Sequence, residues 1–188
     1  MIPSGHPLGG QAGKSTEMPG LDRQDGAAQV GAMTEPTTPI RAVEPYDWAG
    51  LLALIRRAFA GMEGRIDPPS SLHRLTPQGL AELARQGEVW VLGDPAVACM
   101  VLTAQPGRLH LGKLAVEPAL QGRGVGRLMV AWAEERARVL GLAVLELETR
   151  VELVENLAFY EKLGFVEVGR SAHPGFDRPT SVRFSKLV

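Results

Sequence analysis

The sequence predicts one mixed α/β domain, in which a central, mostly antiparallel sheet of about seven strands is flanked by about four helices. Three observations lead to this prediction. Of the 188 residues, 45% are apolar and 22% are charged, which is ordinary globular composition for a chain of about one domain. After residue 37, segments with the period of a strand alternate with segments that have the period of a helix. Gly and Pro residues mark turns between these segments.

Residues 1–37 differ in composition from the rest of the chain. They contain no Phe, Tyr or Trp and are rich in Gly, Pro and small polar residues. Such a segment cannot bury enough apolar surface to offset the entropy lost on ordering. We therefore expect a disordered tail over residues 1–37, with Met33 as an alternative start of translation, and a folded domain over residues 38–188.

The first half of the domain is predicted to contain a short strand and two helices. Asp47 is a favourable N-cap, and apolar residues recur on one face of the helix that follows it. Pro77 suits the first turn of a second helix, which Gly87 ends. The predicted elements are a strand at residues 39–43, a helix at 47–60, a loop at 65–71 and a helix at 76–87.

The second half of the domain is predicted to begin with a hairpin and then to alternate strands with helices. Gly93, Asp94 and Pro95 form a turn signal between two apolar segments. Gly141 and Gly164 follow the two helical segments, where a left-handed glycine commonly ends a helix. The predicted strands cover residues 88–92, 96–104, 109–116, 143–149, 165–170 and 181–187, and the predicted helices cover 126–140 and 152–163.

The charge and the cysteine content argue against several classes of protein. Lys and Arg number 20 against 21 Asp and Glu, a net charge of −1, whereas nucleic-acid binders usually carry a basic excess. The sequence has no run of about 18 apolar residues that would span a membrane. Its single cysteine, Cys99, forms neither an internal disulfide nor a cysteine metal site. We expect a cytoplasmic protein that binds no nucleic acid, membrane or metal.

A glycine-rich turn at residues 121–126, QGRGVG, joins a predicted strand to a predicted helix. The free N–H groups and the dipole of a helix N-terminus attract anions, and glycines let a diphosphate approach the backbone closely. Arg123 and Arg127 add positive charge. The alternatives are a turn that only requires positive φ angles and a dinucleotide-binding turn, with Glu146 or Glu148 as its acidic residue.

Two segments resemble the motifs of one enzyme family. Residues 116–118, with the turn at 121–126, resemble motif A of the GCN5-related N-acetyltransferases, and residues 159–165, FYEKLGF, resemble motif B. The order of the predicted elements over residues 38–188 is also similar to that family. The resemblance implies the acyl-CoA fold of the family and an enzyme that uses acetyl-CoA and no metal.

In that family the turn binds the diphosphate of acetyl-CoA, and the preceding strand binds the pantetheine arm. One position departs from the pattern, because Leu153 stands where the family often has Asn, and Asn156 occupies a position that is more often Ala. The resemblance implies CoA-binding roles for Leu114, Ala115 and Val116 on the strand, and for Gln121, Gly122, Arg123, Gly124, Val125, Gly126 and Arg127 on the turn and helix.

The resemblance also implies direct acyl transfer to an amine. An ammonium group, with a pKa of about 10, must lose a proton before its nitrogen attacks the thioester. Tyr160 stands where the family has the acid that protonates the departing thiolate, and the N–H of Val116 is expected to stabilise the oxyanion. His110 stands where many relatives carry a carboxylate base, and Glu148 is its competitor for that role.

Strand alternation predicts which side chains share a face around this site. It places His110, Gly112 and Leu114 together on one face, directed toward the pantetheine cleft. It also places Glu146 and Glu148 on one face of the next strand. Because carboxylates are costly on a dry face, we expect that face to be polar or hydrated.

The predicted function is transfer of the acetyl group of acetyl-CoA to a primary amine of an unidentified small-molecule or peptide acceptor. The alternative from another class is a non-catalytic acyl-CoA sensor, and a dinucleotide-binding protein is the third candidate. Many members of the family dimerise, so a homodimer is compatible with the resemblance, while the sequence itself carries no signal for the oligomeric state. By position alone, His173 and residues 178–180 are expected to border the acceptor.

Overall fold

The computed structural model describes residues 38–188, so the predicted tail over residues 1–37 lies outside the described part of the chain. The strands are β1 (Ile40–Arg41), β2 (Glu88–Leu92), β3 (Ala98–Gln105), β4 (Arg108–Val116), β5 (Val144–Arg150), β6 (Val166–Ser171) and β7 (Ser181–Leu187). The α-helices are α1 (Trp48–Phe59), α2 (Pro77–Gln86), α3 (Val125–Val139) and α4 (Val154–Lys162). Short 3₁₀ helices occupy Ala60–Met62, Ser71–Arg74 and Pro118–Leu120.

Within this described region, the seven strands form one sheet in the order β1-β2-β3-β4-β5-β7-β6. Neighbouring strands are antiparallel except β4 and β5, which pair in parallel. The predicted mixed α/β class, with a mostly antiparallel sheet and four helices, is confirmed. The dinucleotide-binding alternative is wrong, because that fold is built on a mostly parallel sheet.

Three helix ends coincide with caps that the sequence provides. The carboxylate of Asp47 accepts a hydrogen bond from the N–H of Gly50 at 2.9 Å, at the start of α1. The hydroxyl of Thr76 accepts one from the N–H of Gly79 at 3.0 Å, at the start of α2. Gly141 follows α3 with a φ of 68°, as a left-handed cap does. These local signals explain why the predicted helix positions agree closely with the structure.

Helices cover both faces of the sheet, and each face has its own hydrophobic core. On one face, α3 and α4 pack against a core that includes Leu109 and Leu111 of β4. On the other face, α1 and α2 pack against a core that includes Val101 and Ala115. Among the described residues, none from β5, β6 or β7 belongs to this second core. That side of the three strands is therefore not covered by α1 and α2.

A β-bulge interrupts β4 near its C-terminal end. Val101 and Cys99 are two positions apart on β3, but their partners on β4, Gly112 and Ala115, are three positions apart. One extra residue is thus inserted into β4, and Lys113 at this point has a φ of 49°.

The bulge changes which face the following side chains occupy. Leu109 and Leu111 precede it and belong to the core on the α3 side. Leu114 and Val116 follow it, at positions of the opposite parity, and also pack against the core on the α3 side. Because one extra residue reverses the alternation, four residues of a single strand contribute to the same face.

Candidate active site

The pairing of β4 with β5 stops before either strand ends. The last paired residues are Leu111 and Leu147, although β4 continues to Val116 and β5 to Arg150. We call the space between these unpaired ends the β4–β5 gap. On this side the backbone N–H and C=O groups of β4 have no strand partner, so they are available to a ligand.

Val116 directs its backbone groups into the β4–β5 gap. The N–H of Glu117 donates to the carbonyl oxygen of Val97, next to β3, at 2.8 Å. Successive residues of an antiparallel ladder point their backbone groups in opposite directions, so those of Val116 point away from β3. The side chain of Gln121 agrees with this direction, because its Nε2 donates to the carbonyl oxygen of Val116 at 3.1 Å. The N–H of Val116 therefore points into the gap, where it can donate a hydrogen bond to a ligand.

The predicted anion-binding turn lies between β4 and α3. Gly122 and Gly124 have φ angles of 74° and 90°, and the space beside both Cα atoms is open. Gly124 is the N-cap of α3 and has no side chain to satisfy the first N–H groups of the helix. The exposed side chains of Arg123, on the turn, and Arg127, in the first turn of α3, lie close to it in the chain. The turn thus offers free backbone donors, a helix dipole and positive charge to an anion.

Gly126 has a different physical role from the other two glycines of the turn. A Cβ atom at this position would lie 3.3 Å from Cζ of Phe159, which belongs to α4. The missing side chain therefore lets the start of α3 approach α4. Because Gly126 has no Cβ atom, the glycine turn lies close to α4, the helix that carries Tyr160.

A cavity of about 640 Å³ connects the β4–β5 gap with the glycine turn and the start of α4. Its size lies within the range of roughly 300–1,000 Å³ that is typical of small-molecule sites. All the residues with implied CoA-binding roles line it, except Arg123 and Val125. Tyr160 lines it as well. The structure therefore brings the residues of both sequence motifs to one space.

Tyr160 lies in an aromatic cluster at the wall of this cavity. The centroids of the Phe159, Phe165 and Phe184 rings are 5.1, 5.7 and 6.2 Å from that of Tyr160. Burial raises the pKa of Tyr160 to about 12. The phenol therefore keeps its proton at neutral pH and is suited to donate it.

The prediction that His110, Gly112 and Leu114 share one face is wrong for Leu114. Leu114 packs against the core on the α3 side. A Cβ atom at Gly112 would instead lie 3.8 Å from the His110 ring, so those two residues share the opposite face. The bulge at Lys113 causes the difference, because it shifts the alternation by one residue.

The two candidate bases lie on the sheet face opposite α3. Glu146 of β5 lies opposite His110, and Glu148 lies one residue beyond Leu147, the end of the β4–β5 pairing. Burial lowers the pKa of His110, while the charges of Glu146 and Glu148 oppose that shift. Glu146 is paired with Arg108 at 3.3 Å, whereas the side chain of Glu148 is exposed. Neither candidate lines the 640 Å³ cavity, so each approaches the gap from the other face.

Charged side chains hold three loops together beyond the C-terminal end of β5. Arg150 donates to the carbonyl oxygens of Pro68 at 2.7 Å and of Thr180 at 2.9 Å. Arg178 pairs with Asp67 at 2.9 Å. Because Arg150 is largely buried, its two hydrogen bonds fix the chain between α1 and α2 to the end of the sheet. We call this set the loop clip, formed by Asp67, Arg150, Glu152 and Arg178.

The residues expected near the acceptor on position alone have other contacts. The Nδ1 atom of His173 lies 2.6 Å from the hydroxyl of Thr180, which is fully buried. Arg178 belongs to the loop clip. Neither His173 nor Arg178 lines the 640 Å³ cavity. Their observed role is to shape the loop between β6 and β7.

The sequence assigned no function to some residues of the cavity. Phe159 and Asn156 of α4 line it, as do Phe59 at the end of α1 and Met62 of the 3₁₀ helix that follows. Asn156 stood out in the sequence only as a departure from the family pattern. Phe59 carried no signal at all, since it continues the apolar face of α1 like any core residue.

Further properties of the described residues bear on the class of protein. Between residues 38 and 188, every helix is too short or too polar to cross a membrane. In the same part of the chain, no three His, Cys, Asp or Glu side chains are grouped to hold a metal ion. Cys99 is buried, and burial raises the pKa of its thiol to about 12, so the thiol is not an activated nucleophile.

The sequence profile of the acetyltransferase (GNAT) family matches residues 48–165, more than half of the chain. The chain belongs to this family and is an acetyl-transferring enzyme. The class thus agrees with the open strand pair, the glycine turn and the cavity described above. It favours an enzyme over the acyl-CoA sensor considered as an alternative.

Individual relatives agree with this assignment. The chain is 32% identical over 111 residues to the IAA acetyltransferase of Azospirillum brasilense, which covers 56% of this chain and 71% of that protein. The ribosomal-protein-S18-alanine N-acetyltransferase from Escherichia coli has a TM-score of 0.61 at 20% identity, over 80% of this chain and 94% of that one. A Bacillus subtilis acetyltransferase in complex with CoA has a TM-score of 0.56 at 21% identity, over 80% and 97%. At these identities the two structures show the shared fold.

Proposed function

We propose that this enzyme transfers the acetyl group of acetyl-CoA to a primary amine of a small molecule or peptide. One observation carries the proposal: the β4–β5 gap opens into a cavity that the glycine turn and Tyr160 both line. An anion-binding turn, an unpaired strand edge and a proton donor therefore surround one space. These are the groups that binding and cleaving an acyl-CoA thioester requires.

The residues present fit acetyl-CoA part by part. The open glycine turn and the uncapped N-terminus of α3 suit the diphosphate, with Arg123 and Arg127 as mobile positive charges. The unpaired edge of β4 at residues 114–116 suits an extended pantetheine arm, whose amides hydrogen-bond as an added strand does. Bound acetyl-CoA supplies an activated thioester in the β4–β5 gap.

Two groups of the chain act on the charges that develop during transfer. The N–H of Val116, which points into the gap, donates a hydrogen bond to the oxyanion of the tetrahedral intermediate. The Tyr160 hydroxyl, with a pKa of about 12, gives its proton to the departing sulfur. The Val116 N–H acts within the plane of the sheet, and Tyr160 acts from the side that α3 and α4 cover.

The base that deprotonates the amine acts from the opposite face. The strand register favours Glu148, because it lies past the last β4–β5 pair, whereas His110 lies within the paired part of β4. The His110 imidazole is the second candidate. It lies on the same face of the sheet, and its partner on β5 is Glu146, two residues before Glu148. Replacement of each by Gln distinguishes them, because only loss of the base lowers turnover strongly.

The experiment that tests the proposed function is a screen of thiol release from acetyl-CoA. The panel contains amino acids, polyamines, aminoglycosides, simple alkyl and arylalkyl amines and peptide N-termini. We expect acetyl-CoA to bind in a calorimeter and at least one amine to cause stoichiometric release of CoA. Binding of acetyl-CoA without release by any amine of the panel would contradict the proposed reaction.

A further inference from the structure

A second cavity, of about 420 Å³, lies against the segment that joins α1 to α2. We call it the side cavity. Phe59 and Met62 line both the side cavity and the 640 Å³ cavity, so the two spaces share a wall. A ligand in the side cavity is therefore adjacent to the space that Tyr160 and the β4–β5 gap border.

The walls of the side cavity are mainly apolar. Phe59, Met62 and Leu72 are half-buried, and Ile66 is only 8% exposed, although all but Phe59 belong to the chain between the two helices. Pro69 completes this apolar lining. Connecting segments normally expose polar residues to water, so a concave apolar lining at this place indicates a binding surface.

The charged residues of the side cavity do not match a highly charged ligand. Arg56, Glu63 and His73 border it, and all three side chains are exposed. Arg56 also donates to the carbonyl oxygen of Leu75 at 3.4 Å. A polyamine or an aminoglycoside would need several carboxylates, whereas Glu63 is the only acidic residue in the described lining. The lining matches a neutral, apolar group, so the charged nitrogen of an amine acceptor would lie outside the side cavity.

The side cavity is formed by a segment that is already held in place. Arg150 of the loop clip binds the carbonyl oxygen of Pro68, and Asp67 is paired with Arg178. Arg65 pairs with Glu155 of α4 at 2.7 Å. Because the largely buried Arg150 holds the segment at Pro68, binding of a ligand has less ordering entropy to offset.

We propose that the side cavity binds the apolar body of the acceptor, so that the substrate is a primary amine with an aromatic or branched aliphatic group a few bonds from its nitrogen. This inference rests on the proposed function. The ammonium first gives one proton to the base, which releases it to solvent. As the C–N bond forms and the C–S bond of the thioester breaks, the nitrogen gives its second proton to the base and Tyr160 gives its proton to the CoA sulfur. Solvent then returns a proton to Tyr160, so the net products are the amide, the CoA thiol and one proton.

The first test compares 2-phenylethylamine with ethanolamine as acceptors. We expect kcat/KM in the wild-type enzyme to favour 2-phenylethylamine by about tenfold or more, as apolar pockets commonly discriminate. Leu72→Glu is expected to reduce this preference about tenfold and to leave the Kd of acetyl-CoA within a few fold. Leu72→Met keeps the volume and should keep the preference. Leu187→Glu adds the same charge at an 80% exposed residue outside the site and should also keep it.

A second test needs no variant, so it can show whether the side cavity binds the apolar body of the acceptor even if Leu72→Glu does not fold. The probe is 2-phenylethanol, which has the same apolar body and no amine. We expect competitive inhibition against 2-phenylethylamine and no competition with acetyl-CoA.

The outcomes separate the two proposals. Equal kcat/KM for both amines, no reaction or binding of 2-phenylethylamine with the CoA-loaded enzyme, or 2-phenylethanol that does not compete with the amine would each overturn this inference. In those cases acetyl-CoA still binds and other amines still release thiol. Absence of acetyl-CoA binding, or of thiol release with every amine, would instead overturn the proposed function.

Discussion

The side chain of Tyr160 has two parts with different surroundings. Its ring is packed against three Phe rings, which fixes its position. Its burial raises the pKa to about 12, so the hydroxyl is a proton donor throughout the neutral range and never a base there. The packing of the ring therefore determines both the position of the hydroxyl and its pKa.

Tyr160→Phe separates these two parts, because it removes the hydroxyl and keeps the packed ring. We expect the Kd of acetyl-CoA to stay within a few fold and kcat to fall by about 10²-fold. The value of kcat/KM should fall by a similar factor, since the interaction forms only as charge develops on sulfur. Steady-state thiol release with an acceptor from the screen measures both. Full turnover in the variant at saturating substrates would remove Tyr160 from the mechanism.

His110 is expected to make the stability of the protein depend on pH. Burial lowers its pKa below the usual value of about 6.5, against the opposing charges of Glu146 and Glu148. The unfolded chain therefore binds this proton more readily than the folded protein does. The free energy of unfolding must then fall as the pH decreases through about 6.5 toward the lower, folded-state pKa.

His110→Gln replaces the imidazole by a group that does not titrate. We expect the variant to lose less stability than the wild type when the pH is lowered from about 7.5 to about 5.5. Urea unfolding at the two pH values measures the free energy of each protein. An equal loss in both proteins would mean that burial does not affect His110 as described.

Residue identities were predicted more successfully than residue orientations. The sequence singled out Tyr160 and the glycine turn, and the structure places them at one cavity. It did not reveal that Leu114 and His110 lie on opposite faces of the sheet. The segment around Lys113 keeps an ordinary strand pattern, so only the backbone conformation shows the extra residue.

At the scale of elements, the N-terminus of α3 is the part of the fold most directly suited to a ligand. It begins with a glycine in the left-handed conformation instead of a capping side chain. A Ser or Asp at that N-cap would satisfy one of the first N–H groups of the helix. The uncapped glycine leaves those donors to an incoming anion, at some cost to the stability of the isolated helix.

Gly124→Glu is expected to abolish measurable binding of acetyl-CoA. The new side chain would occupy the open space beside the turn, and its carboxylate would repel a diphosphate. Isothermal calorimetry measures the Kd of acetyl-CoA in the variant and in the wild type. Wild-type affinity in Gly124→Glu would refute the assignment of the turn.

Gly107→Glu provides the matched control for this change. Gly107 lies in the turn between β3 and β4, has a φ of 74° and also has open space beside its Cα atom. Glutamate is strained at both glycines by the same left-handed backbone conformation. The two variants should therefore lose similar stability in thermal melts, and only Gly124→Glu should lose the ligand.

The elements themselves were predictable because capping and periodicity agree along the chain. Asp47, Thr76 and Gly141 mark helix ends by local hydrogen bonds or backbone conformation that the sequence specifies. The chain between α1 and α2 was predicted only as a loop. Its short 3₁₀ helices and its side cavity depend on contacts with Arg150 and Arg178, which are distant in sequence.

At the scale of the whole molecule, the folded domain is expected to be stable without the residues that precede Met33. A segment that buries no apolar surface contributes little to stability. A chain that begins at Met33 should therefore melt within about 1 °C of the full-length protein. Differential scanning calorimetry on both proteins measures this, and a decrease of several degrees would mean that the preceding residues pack on the domain.

Across residues 38–188, the order of elements was predictable and the pairing of strands was not. The single parallel pair in this part of the chain, β4 with β5, leads to the gap on which the proposed chemistry depends. Nothing in the local pattern of either strand specifies that they separate after Leu111 and Leu147. That separation depends on what packs against both strands, which only the assembled fold determines.

The bulge at Lys113 makes the length of β4 more important than the identity of the bulged residue. Lys113 is half-exposed, so unbranched side chains that accept its φ of 49° are compatible with its position. Removal of this one residue would restore simple alternation and leave Leu114 and Val116 on the same side as Leu109 and Leu111. It would also remove the local bend of β4 directly after Leu111, where the strand separates from β5. In a library of variants of this strand, unbranched substitutions at residue 113 should survive selection for activity, while deletion of the residue should not, because a straighter β4 would narrow the gap.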